Sequence, residues 1–182
     1  MDETLGSRRF MHEQSLVLES TQRQIVELLP RLRRLARVLA GQPADADDLV
    51  QVTVERALGA RSQWRPGTRL DSWMFRIMKN AWIDETRARR RRGAVLAPEE
   101  EGDNIGDAGA RAVEARLEAA EVERAIARLP QEQRLAVALV LVEGLSYKEA
   151  AGVLEVPEGT LTSRLVRGRQ ALLAELGGAD AG

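Results

Sequence analysis

The chain has 182 residues, no cysteine, one histidine and a formal net charge of -1, although 30% of its residues are charged. That length suits one or two small domains, and the lack of cysteine excludes disulfides, thiolate zinc sites and cysteine nucleophiles. No apolar run reaches the roughly 18 residues needed to span a bilayer. The N-terminus has no apolar signal core, so we expect a cytoplasmic protein.

Charges are segregated along the chain despite the balance near zero. Acidic stretches, DADDLVQVTVE and PEEEGDNIGD, alternate with the basic run RARRRR and with residues 160–169, which contain three arginines and no acid. Segregated charge of this kind concerns binding partners rather than the fold.

The first half of the chain is patterned as helices. Apolar residues recur at helical spacing in three segments: residues 25–39, 45–58 and 70–91. The stretch RSQWRPGT interrupts the pattern before the third segment. The segments predict one helical domain over residues 23–93, preceded by a loose N-terminal segment, residues 1–22.

A linker and a second helical block follow. Residues 94–112 are rich in glycine and acids and poor in large apolar groups, which is typical of a flexible linker. Four further helices are predicted: residues 113–127, 131–142, 146–154 and 157–176. We therefore expect an all-α protein whose two small domains, 23–93 and 113–176, are joined by the acidic linker and followed by a tail, 177–182.

The last two helices have the pattern of a helix-turn-helix. Ser146 followed by Glu149 is a capping box that begins a helix, and Pro157 suits the first position of the next one. On that last helix one apolar stripe is expected to face the core: Leu161, Leu165, Gly168 and Leu172. Polar and cationic residues lie opposite, as in a helix that enters the DNA major groove. The alternative is a helix bundle whose arginine face is simply solvated.

The helix over residues 70–91 carries a second basic face. An apolar stripe is predicted on one side: Leu70, Met74, Ile77, Met78 and Ala81. The opposite side is mostly basic or amide: Arg69, Ser72, Arg76, Lys79, Asn80, Ile83, Arg87 and Arg90. Cations beside aromatics suit unpaired nucleic acid, because charge follows phosphates while rings stack on bases. We expect Trp73 in the core and leave Trp64 and Trp82 open between the core and base stacking.

The helix over residues 45–58 has an acidic outer face. Leu49, Val50, Val54, Ala57 and Leu58 can face inward, while Asp48, Gln51, Val52 and Glu55 can face outward. Such a face would repel DNA, so it suits a basic protein partner or solvent. No converging set of oxygen ligands completes a metal site with its aspartates, and no cofactor is expected.

These segments together resemble one bacterial family. DADDLVQVTVERAL, then WRPGTRLDSWMFRIMKNAWIDETR, then LPQEQRLAVALVLVEGLSYKEAAGVLEVPEGTLTSRLVRGR are similar to RNA polymerase sigma factors of the extracytoplasmic-function (ECF) type, group 4 of the sigma-70 family. The resemblance covers residues 28–172 and keeps the family's order and spacing. It implies a sigma-2 domain, a sigma-4 domain, and a factor that directs core RNA polymerase to promoters.

The resemblance also implies roles for three surfaces. A clamp face would bind the polymerase clamp: Asp48, Gln51, Val52 and Glu55. A −10 face would open and hold the promoter −10 strand: Trp64, Phe75, Arg76, Lys79, Asn80, Ile83, Arg87 and Arg90. A −35 face would read the −35 duplex: Pro157, Thr160, Thr162, Ser163, Arg164, Val166 and Arg167. Sigma-4 would also pack on the polymerase flap, and an anti-sigma protein is an expected partner.

Two residues depart from the family pattern. Val52 stands where the family often has an acid, and Thr162 where it often has Lys or Arg, so the clamp contact and the −35 preference should differ from those of relatives. A stand-alone helix-turn-helix regulator that binds duplex operator DNA is the alternative. It would leave the basic helix over residues 70–91 unexplained. An adaptor that binds only proteins fits the two arginine faces poorly. No Ser/His pair, phosphate loop or converging carboxylates indicate an enzyme.

Overall fold

The computed structural model describes the backbone of residues 3–65, 67–93 and 110–177, and the side chains of residues 21–65, 67–93 and 119–177. The described chain is helical, in this order: α1 (Glu3–Ala40), α2 (Pro43–Gly59), a 3-10 turn (Arg61–Gln63), α3 (Leu70–Arg91), α4 (Ala110–Arg128), α5 (Gln131–Val137), a π turn (Ala138–Val142), α6 (Tyr147–Leu154) and α7 (Glu158–Gly177). The all-α prediction is confirmed.

Two boundaries differ from expectation. The first helix begins at Glu3 rather than at residue 25, so residues 3–22, expected to be loose, are helical. At the other end of the linker, α4 begins at Ala110. Most of the predicted linker and of the C-terminal tail lies outside the described residues.

The first domain packs α1, α2 and α3 around one core. Leu32, Leu35 and Leu39 of α1 are fully buried, as are Met74 and Met78 of α3. These α3 residues belong to the predicted apolar stripe, in which Ile77 is only half-buried. In α2, Leu58 is expected from its spacing to face inward but is 40% exposed, because it lies in the last turn before the helix ends at Gly59.

The second domain packs α7 against α5. The predicted stripe is confirmed, since Leu161, Leu165, Gly168 and Leu172 are the buried residues of α7. The helices approach closely at Gly168, where a Cβ would lie 2.8 Å from Val137 Cγ2. The helix predicted over residues 131–142 loosens into the π turn after α5. That turn precedes Glu143, whose side chain is directed towards α1.

The two domains are packed against each other. Helix α1 contacts α4 and the π turn, while α3 contacts α6. Ion pairs and hydrogen bonds cross this boundary. The fold therefore brings one basic helix, α3, under the second domain and leaves the outer side of the other, α7, away from the first.

Candidate nucleic-acid and polymerase interfaces

The −35 face lies on an exposed side of α7. Thr162, Ser163 and Arg167 are exposed, and Val166 keeps 47% of its surface in contact with solvent. The Thr162 and Ser163 hydroxyls each donate to the carbonyl four residues earlier, at 2.9 Å. Pro157 is exposed and Thr160 half-buried. A continuous polar surface with one apolar residue at its centre can enter a DNA groove.

One residue of the −35 face is held within its own domain. Arg164 keeps only 20% of its side chain exposed and pairs with Glu132 Oε2 of α5 at 2.9 Å. Its charge therefore supports the packing of α7 on α5, whereas Arg167 is exposed and donates to the Ser163 carbonyl of its own helix at 3.2 Å.

The start of α6 is built as the sequence indicates, and a left-handed residue then joins α6 to α7. The Ser146 hydroxyl accepts from the Glu149 N–H, and the Glu149 carboxylate accepts from the Ser146 N–H at 2.9 Å, so the predicted capping box is confirmed. Helix α6 ends at Leu154, and its C-cap residue, Glu155, has φ 59° and ψ 44° and is the single non-glycine residue with positive φ among the described residues. This left-handed residue turns the chain from α6 into α7.

The −10 face is divided. Asn80, Arg87 and Arg90 are exposed, and Ile83 is half-buried. Arg76 donates to the Gly152 carbonyl of α6 at 2.9 Å. Lys79, expected to point outward, is 6% exposed and pairs with Glu155 Oε2 at 2.8 Å. The periodic pattern located the basic side of α3, but α6 covers part of it.

Aromatic residues near α3 lie mostly in the core. Phe75, expected near the −10 strand, is fully buried, and the Arg31 guanidinium lies 5.0 Å from its ring centre. Trp82 is 7% exposed, so the core interpretation holds for it. Trp73 is half-buried against the core, as expected. Trp64 is also half-buried, and its indole N–H is buried without an acceptor in the described part of the chain.

The clamp face lies on the outer side of α2. Asp48, Gln51, Val52 and Glu55 are all exposed, and Val52 is 36% exposed. The Gln51 amide donates to Glu55 Oε1 at 2.9 Å, which holds both side chains on one side of the helix. Leu49 and Ala57 on the opposite side of α2 are buried in the core, so the clamp face is directed outward.

A groove adjoins the clamp face. Its volume is about 710 Å³, and it extends from α2 and α3 to the α4–α5 junction. Arg89 bridges its wall, donating to both oxygens of Asp45 at 2.5 and 2.6 Å and to Glu85 at 2.9 Å. Hydrogen bonds from Arg89 lower the pKa of Glu85. The groove therefore has charged walls beside an apolar floor that includes Leu49 and Trp82.

Sequence reasoning missed a buried network at the domain boundary. Glu143 has a fully buried side chain that accepts from Arg31 at 3.0 Å and from Arg34 at 2.9 Å. Arg31 also donates to Asp71 at 2.9 Å. Burial raises the pKa of Asp71, but hydrogen bonds from Arg69, Arg31 and the Ser72 N–H outweigh it and lower the pKa to about 2.

A second cation crosses the boundary from the other side. Arg134 of α5 donates to the carbonyls of Leu39 at 2.9 Å and Leu129 at 3.2 Å, and its guanidinium lies 5.5 Å from the Trp82 ring. Burial lowers the pKa of Arg134 to about 10, so the side chain stays charged at neutral pH. In the sequence, Glu143 and Arg134 are marked only as charged residues beside an apolar run, and such a position does not reveal a partner in the other domain.

Two further types of site are absent from the described ranges. No group of three or more His, Asp or Glu side chains there could hold a metal ion. No helix in these ranges combines the length and the apolar character that crossing a bilayer requires.

Comparison with known proteins matches both domains. The sigma-70 region 2 family model matches residues 25–92, and the sigma-70 region 4 model matches residues 119–172. The first range contains α2, α3 and the clamp and −10 faces, and the second contains the helix-turn-helix. The two models together cover more than half of the chain.

Two relatives of similar length support the match to the sigma-70 models. The chain is 36% identical over 164 residues to the ECF RNA polymerase sigma factor EcfG of Rhodopseudomonas palustris, covering 87% of this chain and 86% of EcfG. It is 38% identical over 147 residues to the ECF RNA polymerase sigma factor SigM of Mycobacterium tuberculosis, covering 81% and 72% respectively.

Solved structures show the same arrangement of helices. The sigma factor RpoE from Bartonella quintana, in complex with the anti-sigma factor NepR, is 26% identical with a TM-score of 0.72, covering 87% of this chain and 97% of RpoE. CnrH in complex with the cytosolic domain of CnrY is 29% identical with a TM-score of 0.62, covering 86% and 90%. The chain thus belongs to the ECF group of the sigma-70 family and is an alternative sigma factor that directs transcription initiation.

Proposed function

We propose that this factor recognises its promoters at two places, with α7 reading the −35 duplex and α3 holding the −10 strand. The observation that carries the proposal is the exposed −35 face, in which Ser163, Val166 and Arg167 share one open side of α7. Arginine donates to guanine edges or phosphates, and a small apolar side chain can contact a thymine methyl group.

The −10 role rests on the open part of α3. Asn80, Arg87 and Arg90 line one exposed side of the helix, where an amide and two guanidiniums can contact phosphates and an unpaired base. Because Phe75 and Trp82 lie in the core, they support this surface from below and do not stack on DNA in this arrangement. Trp64 stays a candidate only through the exposed part of its ring.

The clamp role rests on the acidic side of α2. Asp48 and Glu55 are exposed on the same side as Val52, and carboxylates around a small apolar centre suit a basic protein surface. RNA polymerase supplies the catalysis, so the factor itself is proposed to carry no reaction. We further propose that it works in the cytoplasm and that an anti-sigma protein controls it, as the NepR and CnrY complexes of its relatives suggest.

In vitro transcription tests the whole proposal. Purified core polymerase with the factor and a genomic library should initiate at a set of sites that share −35 and −10 sequences. Core enzyme alone should not initiate there. A duplex operator bound tightly without polymerase, and no initiation at any template, would favour the stand-alone regulator.

Two variants test the separate surfaces. Asp48→Arg should weaken binding to core polymerase in a pull-down, because it reverses the charge of the clamp face. Asn80→Ala should leave that binding intact but reduce opening of the −10 region, read as permanganate reactivity of unpaired thymines. Equal pull-down of Asp48→Arg and wild type would remove the clamp assignment.

A further inference from the structure

The second domain occupies part of the −10 face. Arg76 donates to the Gly152 carbonyl at 2.9 Å, and Lys79 pairs with Glu155 Oε2 at 2.8 Å. At the start of α3, Arg69 pairs with the Glu149 carboxylate. Groups that would meet DNA phosphates in an open complex therefore meet carboxylates and a carbonyl oxygen of α6 and its flanking turn.

Glu155 is an unexpected residue for its position in the turn. Its φ of 59° places it in the left-handed region, where a Cβ is unfavourable and glycine is the default residue. The cap of α6 uses only its backbone N–H, which donates to the Ala151 carbonyl, and glycine would do this equally well. The side chain adds a carboxylate, and that carboxylate binds Lys79.

A buried carboxylate anchors the same interface beyond α6. Glu143 has 0% of its side chain exposed and accepts from Arg31 and Arg34 of α1. Since an unpaired buried carboxylate is costly, this pairing favours the arrangement in which the second domain lies against α1. Arg134 adds a hydrogen bond in the opposite direction, to the Leu39 carbonyl at 2.9 Å.

The second domain covers part of the −10 face but leaves the −35 face open. Lys79 is 6% exposed under Glu155, whereas Val166 on the −35 face is 47% exposed. A promoter strand lying along α3 would compete with the Glu155 carboxylate for Lys79 and with the Gly152 carbonyl for Arg76. On the −35 face, Arg164 meets an acid of its own domain, Glu132, while Arg167 stays exposed.

We propose that Glu143, Glu149 and Glu155 form an acidic latch with which the second domain closes over the −10 face in the free factor. Glu149 and Glu155 stand in for phosphates of the promoter strand at Arg69 and Lys79, while Glu143 anchors the second domain on α1. The latch must open before that strand can bind along the whole of α3. Its existence follows from the interface itself, and only its effect on DNA rests on the proposed role of α3.

Distance measurement tests the latch without polymerase or DNA. The chain has no cysteine, so a variant with Arg33→Cys and Leu173→Cys carries thiols at these two positions alone. Both positions are exposed and lie in different domains, so a fluorescent donor and acceptor attached there report the distance between the domains. Wild type should show mostly one high-transfer population. Glu155→Gly removes the carboxylate and suits the left-handed turn, so it should keep its helical circular dichroism and increase the ratio of open to closed molecules roughly fivefold.

Two further variants make the comparison strict. Glu155→Gln removes the charge but keeps the side-chain length, and should open the factor less than Glu155→Gly. Glu175→Gln removes the same charge from a carboxylate that pairs with Arg128 inside the second domain, so its distances should match wild type. Identical distance distributions for Glu155→Gly and wild type would overturn the latch.

A dye-labelled oligothymidine strand then tests the consequence. Such a strand binds cationic and aromatic surfaces without sequence readout, so Glu155→Gly should bind it several-fold more tightly than wild type, and Glu175→Gln should not. If the distances lengthen but the affinity does not change, the latch stands and the strand-binding role of α3 is wrong. If neither changes, the latch is wrong.

Discussion

Helices α3 and α7 have basic faces of similar design and very different surroundings. In both, an apolar stripe at helical spacing lies in a core and arginines lie opposite. Arg167 of α7 is exposed, whereas Lys79 of α3 is covered by the second domain. The same amphipathic pattern thus produced one open surface and one partly covered surface. Helical periodicity shows which side of a helix faces away from the core of its own domain. It does not show whether another domain packs on that side.

The largest expected effect concerns the open surface. Arg167→Ala should reduce transcription from promoters that depend on the −35 element roughly five- to 150-fold, since one lost base contact costs about 1–3 kcal/mol. Arg169→Ala is the matched control, because it removes the same charge from the flank of α7. Equal losses for both variants, measured by run-off transcription with core polymerase, would mean that α7 contributes only general attraction to DNA.

The covered surface should depend on its buried carboxylate. Glu143→Gln removes a charge that Arg31 and Arg34 bind from the other domain, and charged hydrogen bonds of this kind are worth about 2–3 kcal/mol in total. Urea unfolding should show that loss, together with a broader interdomain distance distribution. The Glu132 side chain is 68% exposed and pairs with Arg164, so Glu132→Gln should lower the free energy of unfolding by under about 0.5 kcal/mol.

Acid should weaken the first domain through Asp71. Its pKa is about 2 in the folded chain, against 3.8 for an unperturbed aspartate side chain, so the unfolded state takes up the proton first. The contribution of Asp71 to the free energy of unfolding is therefore fully present at neutral pH. It falls by about 2 kcal/mol as the pH drops from about 5 to 2. Urea titrations across this range should show the fall, and Asp71→Asn should flatten it. Asp84→Asn, at an exposed pair with Arg56, should leave the slope unchanged.

The smallest effect concerns the packing beneath the −35 face. Gly168→Ala places a Cβ 2.8 Å from Val137 Cγ2, and overpacking of about 1–3 kcal/mol exceeds the helix-propensity gain of about 1 kcal/mol. Thermal unfolding should show a net loss of about 1 kcal/mol. Gly152→Ala, where nothing lies within 4 Å of the added Cβ, should instead stabilise α6. A stabilised Gly168→Ala would mean that α7 can move away from α5 at little cost.

Some features of the candidate site could be predicted because they are local. The capping box of Ser146 and Glu149 involves residues three apart, and the buried stripe of α7 repeats every three or four residues. The exposure of Asp48, Gln51 and Glu55 on α2 follows from the same spacing. Short-range hydrogen bonds and helical period leave a direct trace in the order of residues.

Other features differ from the simple expectation because contacts with the rest of the fold decide burial. The family resemblance places Phe75 near DNA, yet it is fully buried beneath Arg31. Helical spacing places Leu58 in the core, yet it is exposed where α2 ends. The predicted start of α1 is 22 residues too late, because the first turns of this helix lack the clear apolar period of residues 25–39.

The sequence by itself determined most of the helices from residue 25 onward, the apolar stripe of α7 and the basic sides of α3 and α7, because each depends on neighbours within one or two turns. Tertiary structure alone decided that Glu155 lies on Lys79 and Glu143 on Arg31, pairs separated by 76 and 112 residues. Contacts at such separations leave no period in the order of residues. They form only where the packing of helices from two domains brings the charges together.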